Sequence, residues 1–528
     1  MVNVMVQSAH PTEGGLPPVL VADGMLIAFR VDASVRTGIG HLKRCLALAA
    51  AVRSLGGRAV FVTRELGFDS LSQIKSEGFE ALLLAPPAQP YTATSDDPPH
   101  AIWAEVPQLL DARETAQSLK GRQPKWLVVD HYAFDHRWHR EITSQLGARL
   151  CVIDDLADRG LVADVVVDQN PSADHVAKYS SSAGQVDTLL VGTRFSLLSS
   201  AYNGIAPYKF NTEVRSIGIF MGGTDATDSS SLALRAARNV ARFEKPIEIC
   251  TTSSNPHLPG LKALAARSAD TTVTVDSPDL ADFFRRHDLQ IGAGGGASWE
   301  RCALGAPTLA IKCAANQAVV LDWLETQGVV HAVDAPTEQT VGEALTQLIA
   351  HPESRRALCE KSRGLVDGQG AARVALALLA STLTLRPATQ IDAAMAYSWR
   401  DDPSTRRYFR DPRAISLEEH LSWWTRTLTD PQRSLFVARV GTRAVGTLRF
   451  DFSPEDAEVS IYLDPQLTGL GIGIAVLRAG QRLAQGRQMK VARLVADIHP
   501  HNQASISSFA EAGFTRAGTS SWSWDVPR

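Results

Sequence analysis

Disulfide chemistry is the first thing this sequence excludes. Six cysteines occur in 528 residues, and Cys45, Cys151, Cys250, Cys302, Cys313 and Cys359 lie far apart with no CxxC pair. They read as reduced thiols, neither a disulfide framework nor a zinc ribbon. Long apolar runs are missing too: nowhere do about 18 apolar residues follow one another, the length that would mark a membrane span. Charge of one sign is not in excess, with 53 Lys and Arg against 56 Asp and Glu and a formal net charge of −3. That balance argues against nucleic acid or an anionic membrane as the main partner. The N-terminal stretch lacks a basic start followed by an apolar run, so no secretory signal is expected. A cytoplasmic protein with a disordered extension over residues 1–24 is predicted.

What is present is alternation. From Met25 a short apolar strand, a turn and an amphipathic helix recur. The first unit runs MLIAFRVDAS, a glycine turn, then HLKRCLALAAAVRSLG, with Leu42, Cys45, Leu46 and Ala49 at helical spacing. RAVFVTR, ALLLAP, KWLVVDHY, RLCVIDD and ADVVVDQ follow. A second series opens near Arg215 with SIGIFMGGTD and continues through PIEICTTSS, TTVTVD, DLQIGAGGGASWERCALGAP and PTLAIK. Strands alternating with helices predict parallel sheets covered on both faces, here two Rossmann-like halves over 25–200 and 201–383. TLRPATQ reads as a linker, 384–390. The remainder, 391–528, changes character: SLFVARVGTRAVGTLRFDFS reads as a hairpin turning at Gly-Thr, within a smaller α+β domain.

Three glycine loops stand at strand ends: Gly38 and Gly40, Gly222 and Gly223, and the run containing Gly295. Each admits close approach of backbone amides to an anion at a helix start. Ser298 and Glu300 follow the third loop, where a hydroxyl suits phosphate and a carboxylate suits ribose hydroxyls. His41 follows the first. Taken alone it fits a helix-start residue beside a tight turn, a member of a phosphate cradle, or a general base kept neutral by the helix N-terminus.

RVDASVRTGIGHLKR, VVDHY, FMGGTD, TTSSNP, and CAANQ with its following GVV resemble, in order, motifs of the UDP-sugar hydrolases of pseudaminic acid biosynthesis. The likeness covers roughly residues 26–335. It implies a glycosyltransferase B type fold that removes UDP from a diacetamido sugar. His41 matches that family's catalytic histidine, activating water, and Tyr132 and Asn316 match residues of its active site. Gln317 lies where related enzymes contact sugar or phosphate, and Asp32 and Arg36 line the same loop as His41. The loop GGGASWERC departs from the family's serine-rich form.

In the last block, Gln466-x-x-Gly469-x-Gly471 between a strand and a helix is suited to bind a pyrophosphate. With Asn502, Ser505, Gly513 and Phe514 downstream, it resembles the Gcn5-related N-acetyltransferase (GNAT) superfamily, which uses acetyl-CoA. The resemblance implies that Leu467, Gly469, Gly471, Ile472 and Gly473 hold the CoA pyrophosphate and that Asn502 meets the pantetheine arm. Glu458 is the candidate base for the attacking amine, with a cross-strand surface carboxylate as the alternative reading. Many members carry a proton-donating tyrosine seven residues after the asparagine; Phe509 stands there, leaving Tyr462 or water for the task. The segment 399–411 and the helix holding His420, Trp423 and Trp424 resemble the substrate side of acetyltransferases acting on 4-amino sugar nucleotides. Acetylating that amine makes the hydrolase substrate, so the two activities are consecutive.

Asp135, His136 and His139 lack a fourth ligand, and a solvated helix start explains them; no metal is expected. The leading expectation is a bifunctional enzyme on UDP-linked amino sugars, with other enzymes of the same route as possible partners. Its rivals are a fused glycosyltransferase and a nucleotide-sugar-binding protein with an inactive C-terminal domain.

Overall fold

The computed structural model describes residues 24–34, 36–180, 184–277, 279–313, 315–486 and 491–527, without the side chains of Ala315 and Asn316. The extension expected over 1–24 lies outside them except for Gly24. Three sheets organise the rest.

The first contains β1 (Leu26–Val31), β2 (Arg58–Arg64), β3 (Glu80–Leu84), β4 (Trp126–Asp130), β5 (Arg149–Ile153), β6 (Val162–Asp168) and β7 (Gln185–Val191). Their order is β3-β2-β1-β4-β5-β6-β7, and every ladder is parallel. A sheet covered on both faces needs strands apolar on both sides. β4 meets that requirement, with all five residues buried. The second sheet holds β8 (Ile217–Phe220), β9 (Ile247–Thr251), β10 (Thr271–Val275), β11 (Leu289–Ala293), β12 (Thr308–Ile311) and β13 (His331–Val333), ordered β10-β9-β8-β11-β12-β13 and again parallel. These are two Rossmann-like halves. They touch across the cleft: a Cβ on Gly223 would lie 3.4 Å from Ile39 Cγ2.

The third sheet is mixed: β14 (Thr384–Pro387), β15 (Arg433–Val440), β16 (Arg443–Phe452), β17 (Asp456–Leu463), β18 (Arg493–Asp497), β19 (Thr515–Arg516) and β20 (Ser521–Asp525), ordered β14-β15-β16-β17-β18-β20-β19. The parallel ladder between β17 and β18 runs from Asp456↔Arg493 to Glu458↔Val495 and then stops, while β17 stays paired with β16 as far as Leu463. The two strands therefore splay, leaving one backbone edge of β17 open.

Two boundaries differ from expectation. The linker 384–390 begins as strand β14, antiparallel to β15; Pro387 misled because a proline is tolerated on an edge strand. The helix Gly370–Leu379 follows the second half in sequence but belongs to the core of the first. Val374, Leu378 and Leu379 are buried in one cluster with Leu48 and Val52, and that cluster continues into Val440, Val445 and Leu448 of the third sheet. The second half keeps separate cores on its two faces.

Candidate functional site

In an open parallel sheet, ligands bind beyond the strand ends where the order reverses. That point lies between β1 and β4 in the first half and between β8 and β11 in the second. After β1 the chain closes a turn through the Gly38 amide on the Ser34 carbonyl at 2.8 Å. Gly38 has φ +70°, a conformation that favours glycine, and it delivers the chain into helix Gly40–Ser54. His41 thus stands in the first helical turn, facing the end of β4.

Asp130 ends β4 with its side chain fully buried, and its Oδ1 lies 2.6 Å from His41 Nδ1. Arg44, one turn along the same helix, donates from Nε to Oδ2 at 2.5 Å and from Nη2 to Oδ1 at 2.6 Å. Burial opposes ionisation of Asp130, but the Arg44 guanidinium and His41 outweigh it and hold the carboxyl well below the usual carboxylate range. A carboxylate only accepts, so Nδ1 carries the proton, and in the neutral ring the lone pair belongs to Nε2. Asp130 then stabilises the positive charge the ring gains on taking a proton.

Tyr132 packs edge-on against His41 at 4.8 Å between ring centroids. Its hydroxyl donates to Asp155, whose other oxygen accepts from Asn170 Nδ2 at 3.0 Å. Burial, then the Asp155 charge, push the phenol well above its ordinary value, so it stays protonated. Trp103 completes an aromatic wall, 5.5 Å from Tyr132 and 6.3 Å from His41. Asp130, Arg44, Asp155 and Trp103 were not singled out in the sequence. The usable signal was the strand ending VVD directly before His131-Tyr132.

Other expected residues are placed differently. Asp32 does not face the cleft: its carboxylate is buried, accepting from Arg30 at 2.5 and 2.8 Å and from the Arg64 amide at 2.7 Å. Arg36 is exposed in the turn. In the second half, a Cβ on Gly222 or Gly295 would meet nothing within 4 Å, so both loops border open space. Ser298 turns inward, 1% exposed, its hydroxyl accepting from Arg301 Nη2 at 3.1 Å; phosphate contact by this side chain is not what the structure provides. Gln317 Oε1 accepts from the Gly294 amide at 3.2 Å and so braces the glycine loop. Glu300 is half-buried at the start of helix Ala297–Leu304, and burial raises its carboxyl despite the nearby Lys43. Asn316 opens helix Ala315–Thr326, and its side chain lies outside the described residues.

Two of the three residues of the metal alternative, Asp135 and His139, have other employment. Asp135 caps helix His136–Leu146 by accepting from the Arg137 amide at 2.8 Å. His139 is buried rather than solvated; it accepts from the Val162 amide at 3.2 Å, and burial pulls it down to about 3. Among the described residues, no group of three or more His, Cys, Asp or Glu is arranged to hold a metal ion.

In the C-terminal domain the loop after β17 enters helix Ile472–Ala484 through Gly469 and Gly471, with φ +79° and +71°. Among the described residues, the amides of Gly469, Leu470, Gly471, Ile472 and Gly473 donate to no other protein group, which leaves them for an anion. Leu467 is the exception: its amide is spent on the Asp464 carbonyl at 2.9 Å. Asn502 caps helix Gln503–Glu511, its Oδ1 accepting from the Ser505 amide at 3.1 Å, so only its NH₂ group remains to offer. Glu458 sits where the β17–β18 ladder stops. Arg410 bridges it at 3.0 Å to Asp497 at 3.1 Å, a cation held between two carboxylates at the mouth of the splay. Phe509 is 3% exposed and packs on Phe514 at 4.9 Å. The Tyr462 hydroxyl is buried without a partner among the described residues, and burial pushes it up to about 12.

Residues 382–515 match the acetyltransferase (GNAT) domain family. Over 308 residues, 58% of this chain and 97% of the relative, the sequence is 25% identical to the UDP-2,4-diacetamido-2,4,6-trideoxy-beta-L-altropyranose hydrolase of Campylobacter jejuni. The spore coat polysaccharide biosynthesis protein SpsG of Bacillus subtilis is 23% identical over 171 residues, 32% of this chain and half of that protein. Among solved structures, MurG of Acinetobacter baumannii aligns with a TM-score of 0.46 and 15% identity, covering 66% of this chain and 98% of that one. The chain thus joins a segment similar to that hydrolase to a GNAT domain.

Proposed function

We propose that the chain is a bifunctional enzyme of UDP-linked amino sugars, acetylating the 4-amino group of a UDP-sugar and then releasing UDP from the diacetamido product. The observation that carries the first activity is the His41–Asp130 pair at the switch point, opposite two open glycine loops of the second half. In this reading the diphosphate lies against those loops, with Gly222, Gly223 and Gly295 giving its oxygens room, and Glu300 takes the ribose. Tyr132, with Asn316 and Gln317 from the opposite half, confines the sugar. His41 Nε2 removes a proton from water as its oxygen attacks the anomeric carbon. The bond from that carbon to the diphosphate oxygen breaks, and UDP leaves with the electron pair.

In the C-terminal domain, the unspent amides of Gly469 to Gly473 suit the pyrophosphate of acetyl-CoA, and the open edge of β17 suits its amide-bearing arm. The amine attacks the thioester carbonyl and loses its proton to Glu458, and the departing thiolate takes a proton from Tyr462 or water. The cation between Glu458 and Asp497 supports an amine acceptor, because the same two carboxylates attract an incoming ammonium. No described helix is long and apolar enough to cross a membrane.

One incubation tests both activities: the full chain with a UDP-4-amino sugar and acetyl-CoA. CoA is expected first, followed by UDP and a free diacetamido sugar. A glycoside in place of the free sugar would make the first activity glycosyl transfer. UDP release with no CoA formed would leave the C-terminal domain without the proposed role.

A further inference from the structure

The loop that binds the acetyl-CoA pyrophosphate in the proposed reading is held from outside its own domain. Arg194, in the turn Thr193–Phe195 after β7, donates from Nη2 to the Gln466 carbonyl at 3.0 Å and to the Thr468 carbonyl at 3.4 Å. Arg373, from helix Gly370–Leu379, reaches the Gln466 carbonyl from Nε at 3.4 Å. It also donates to the Arg194 carbonyl at 2.9 Å and pairs with Asp367. Arg194 is therefore fixed at both ends: Arg373 holds its backbone, and its guanidinium lies over the Phe195 ring at 5.1 Å.

A trans peptide is planar, with the carbonyl of one residue opposed to the amide of the next. Holding the Thr468 carbonyl toward Arg194 turns the Gly469 amide the other way, and that amide has no partner among the described residues. Gly469 has φ +79° and no side chain, so little within the loop itself fixes this plane. A charged donor on the carbonyl also polarises the amide across the same peptide unit.

We propose that Arg194 is a positioning residue for acetyl-CoA: it acts through the peptide between Thr468 and Gly469, so the first Rossmann-like half completes the cofactor loop of the acetyltransferase. This rests on the reading of the C-terminal domain as acetyl-CoA-dependent. Acetyl transfer should be measured in the full chain and in Arg194→Met and Arg194→Lys, with both acetyl-CoA and acetyl-dephospho-CoA as donors. Arg194→Met is expected to raise KM about tenfold for either donor, the size of one charge-assisted hydrogen bond. kcat, the KM of the amine and UDP release from diacetamido substrate should hold, and Arg194→Lys should recover part of the loss. An unchanged donor KM would overturn the inference. So would a loss confined to acetyl-CoA, which would mean a direct ionic contact with the 3′-phosphate, and so would a loss spread over all parameters and over UDP release. Calorimetry of the parent with acetyl-CoA separates the two levels: no binding there ends the reading of the domain and the inference with it, whereas binding equal in parent and Arg194→Met ends the inference alone.

Discussion

Asp130→Asn tests the first site with nearly no change of shape. Its consequence follows from which amide orientation Arg44 permits. Arg44 Nε has one acceptor, Asp130 Oδ2 at 2.5 Å, whereas Nη2 has Oδ1 at 2.6 Å and two alternatives: His41 Nδ1 at 3.1 Å, once that nitrogen has a lone pair, and the Tyr132 hydroxyl at 3.5 Å. The remaining oxygen of the asparagine should therefore stay with Nε, placing the NH₂ group opposite His41 Nδ1. An amide donor there claims the lone pair of Nδ1 and moves the ring proton to Nε2. The nitrogen facing the cleft then has nothing with which to accept a proton. Loss of a general base by the wrong tautomer predicts a fall in kcat of about a thousandfold, with UDP affinity nearly intact. Single-turnover UDP release with the diacetamido substrate reads the first quantity, and titration with UDP the second. In a His41→Ala background the same substitution should cost almost nothing further, because both act on one proton transfer. A buried ion pair is also broken, so the variant should be less stable by about 3 kcal/mol. The sign with pH follows from the lowered carboxyl: the stability Asp130 contributes is present above the ordinary carboxylate range and is lost as pH falls through the native value. A folded Asp130→Asn protein with kcat within about threefold of the parent would refute the tautomer argument and with it the base role of His41.

His41→Ala alone should slow UDP release by about 10²–10⁴ while leaving CoA formation from the amino sugar unchanged; a parental rate would contradict the assignment. Gly471→Val places a β-branched side chain at φ +71° beside the unspent amides, so acetyl-CoA binding should disappear while UDP release from acetylated substrate persists. Joint loss of both in a folded variant would count against independent sites. Phe509→Tyr buries a hydroxyl against Phe514, so thermal unfolding should show a loss of about 1–3 kcal/mol and CoA release no gain. A faster variant would mean that position 509 reaches the thiol after all.

The parallel sheets were legible because most of their strands carry an apolar run, such as LIAF in β1, LVV in β4 and VVV in β6, and the hairpin because Gly-Thr separates two alternating strands. His41 was legible as a histidine beginning a helix behind a glycine turn. Its partner was not: Asp130 lies 89 residues away in sequence, and only the sheet order, with β4 beside β1, brings them together. Asp32 shows the reverse. It occupies the same strand end as the site, but Arg30, two residues before it, turns its carboxylate into a buried ion cluster with Arg64 and Asp111. Residue type and strand position were shared by a site aspartate and a structural one, and only the side-chain partners separate them. Phe509 was weighed as a missing proton donor, while burial identifies it as core.

The fusion itself follows from where the C-terminal domain is attached. Helix Gly370–Leu379 closes the core of the first half, and only a short turn and the buried Leu383 separate it from β14. At the other contact, the hairpin tip between β15 and β16 presses on the end of the helix that carries His41. A Cβ on Gly441 would stand 1.9 Å from the Leu55 carbonyl, so the tip must be glycine. With a rise of about 1.5 Å per residue, that helix separates the hairpin contact from His41 by roughly 20 Å. Arg194 and Arg373 add their hold on Gln466 from the same half. Every one of these contacts falls on the first half or on the helix that packs into it. Enzymes built from two halves around a cleft close by moving one half against the other. In the proposed reading, a C-terminal domain held through these contacts travels with His41 and Asp130, and the glycine loops of the second half are expected to move separately from it. In that reading the attachment adds a second site without tying the two Rossmann-like halves to each other.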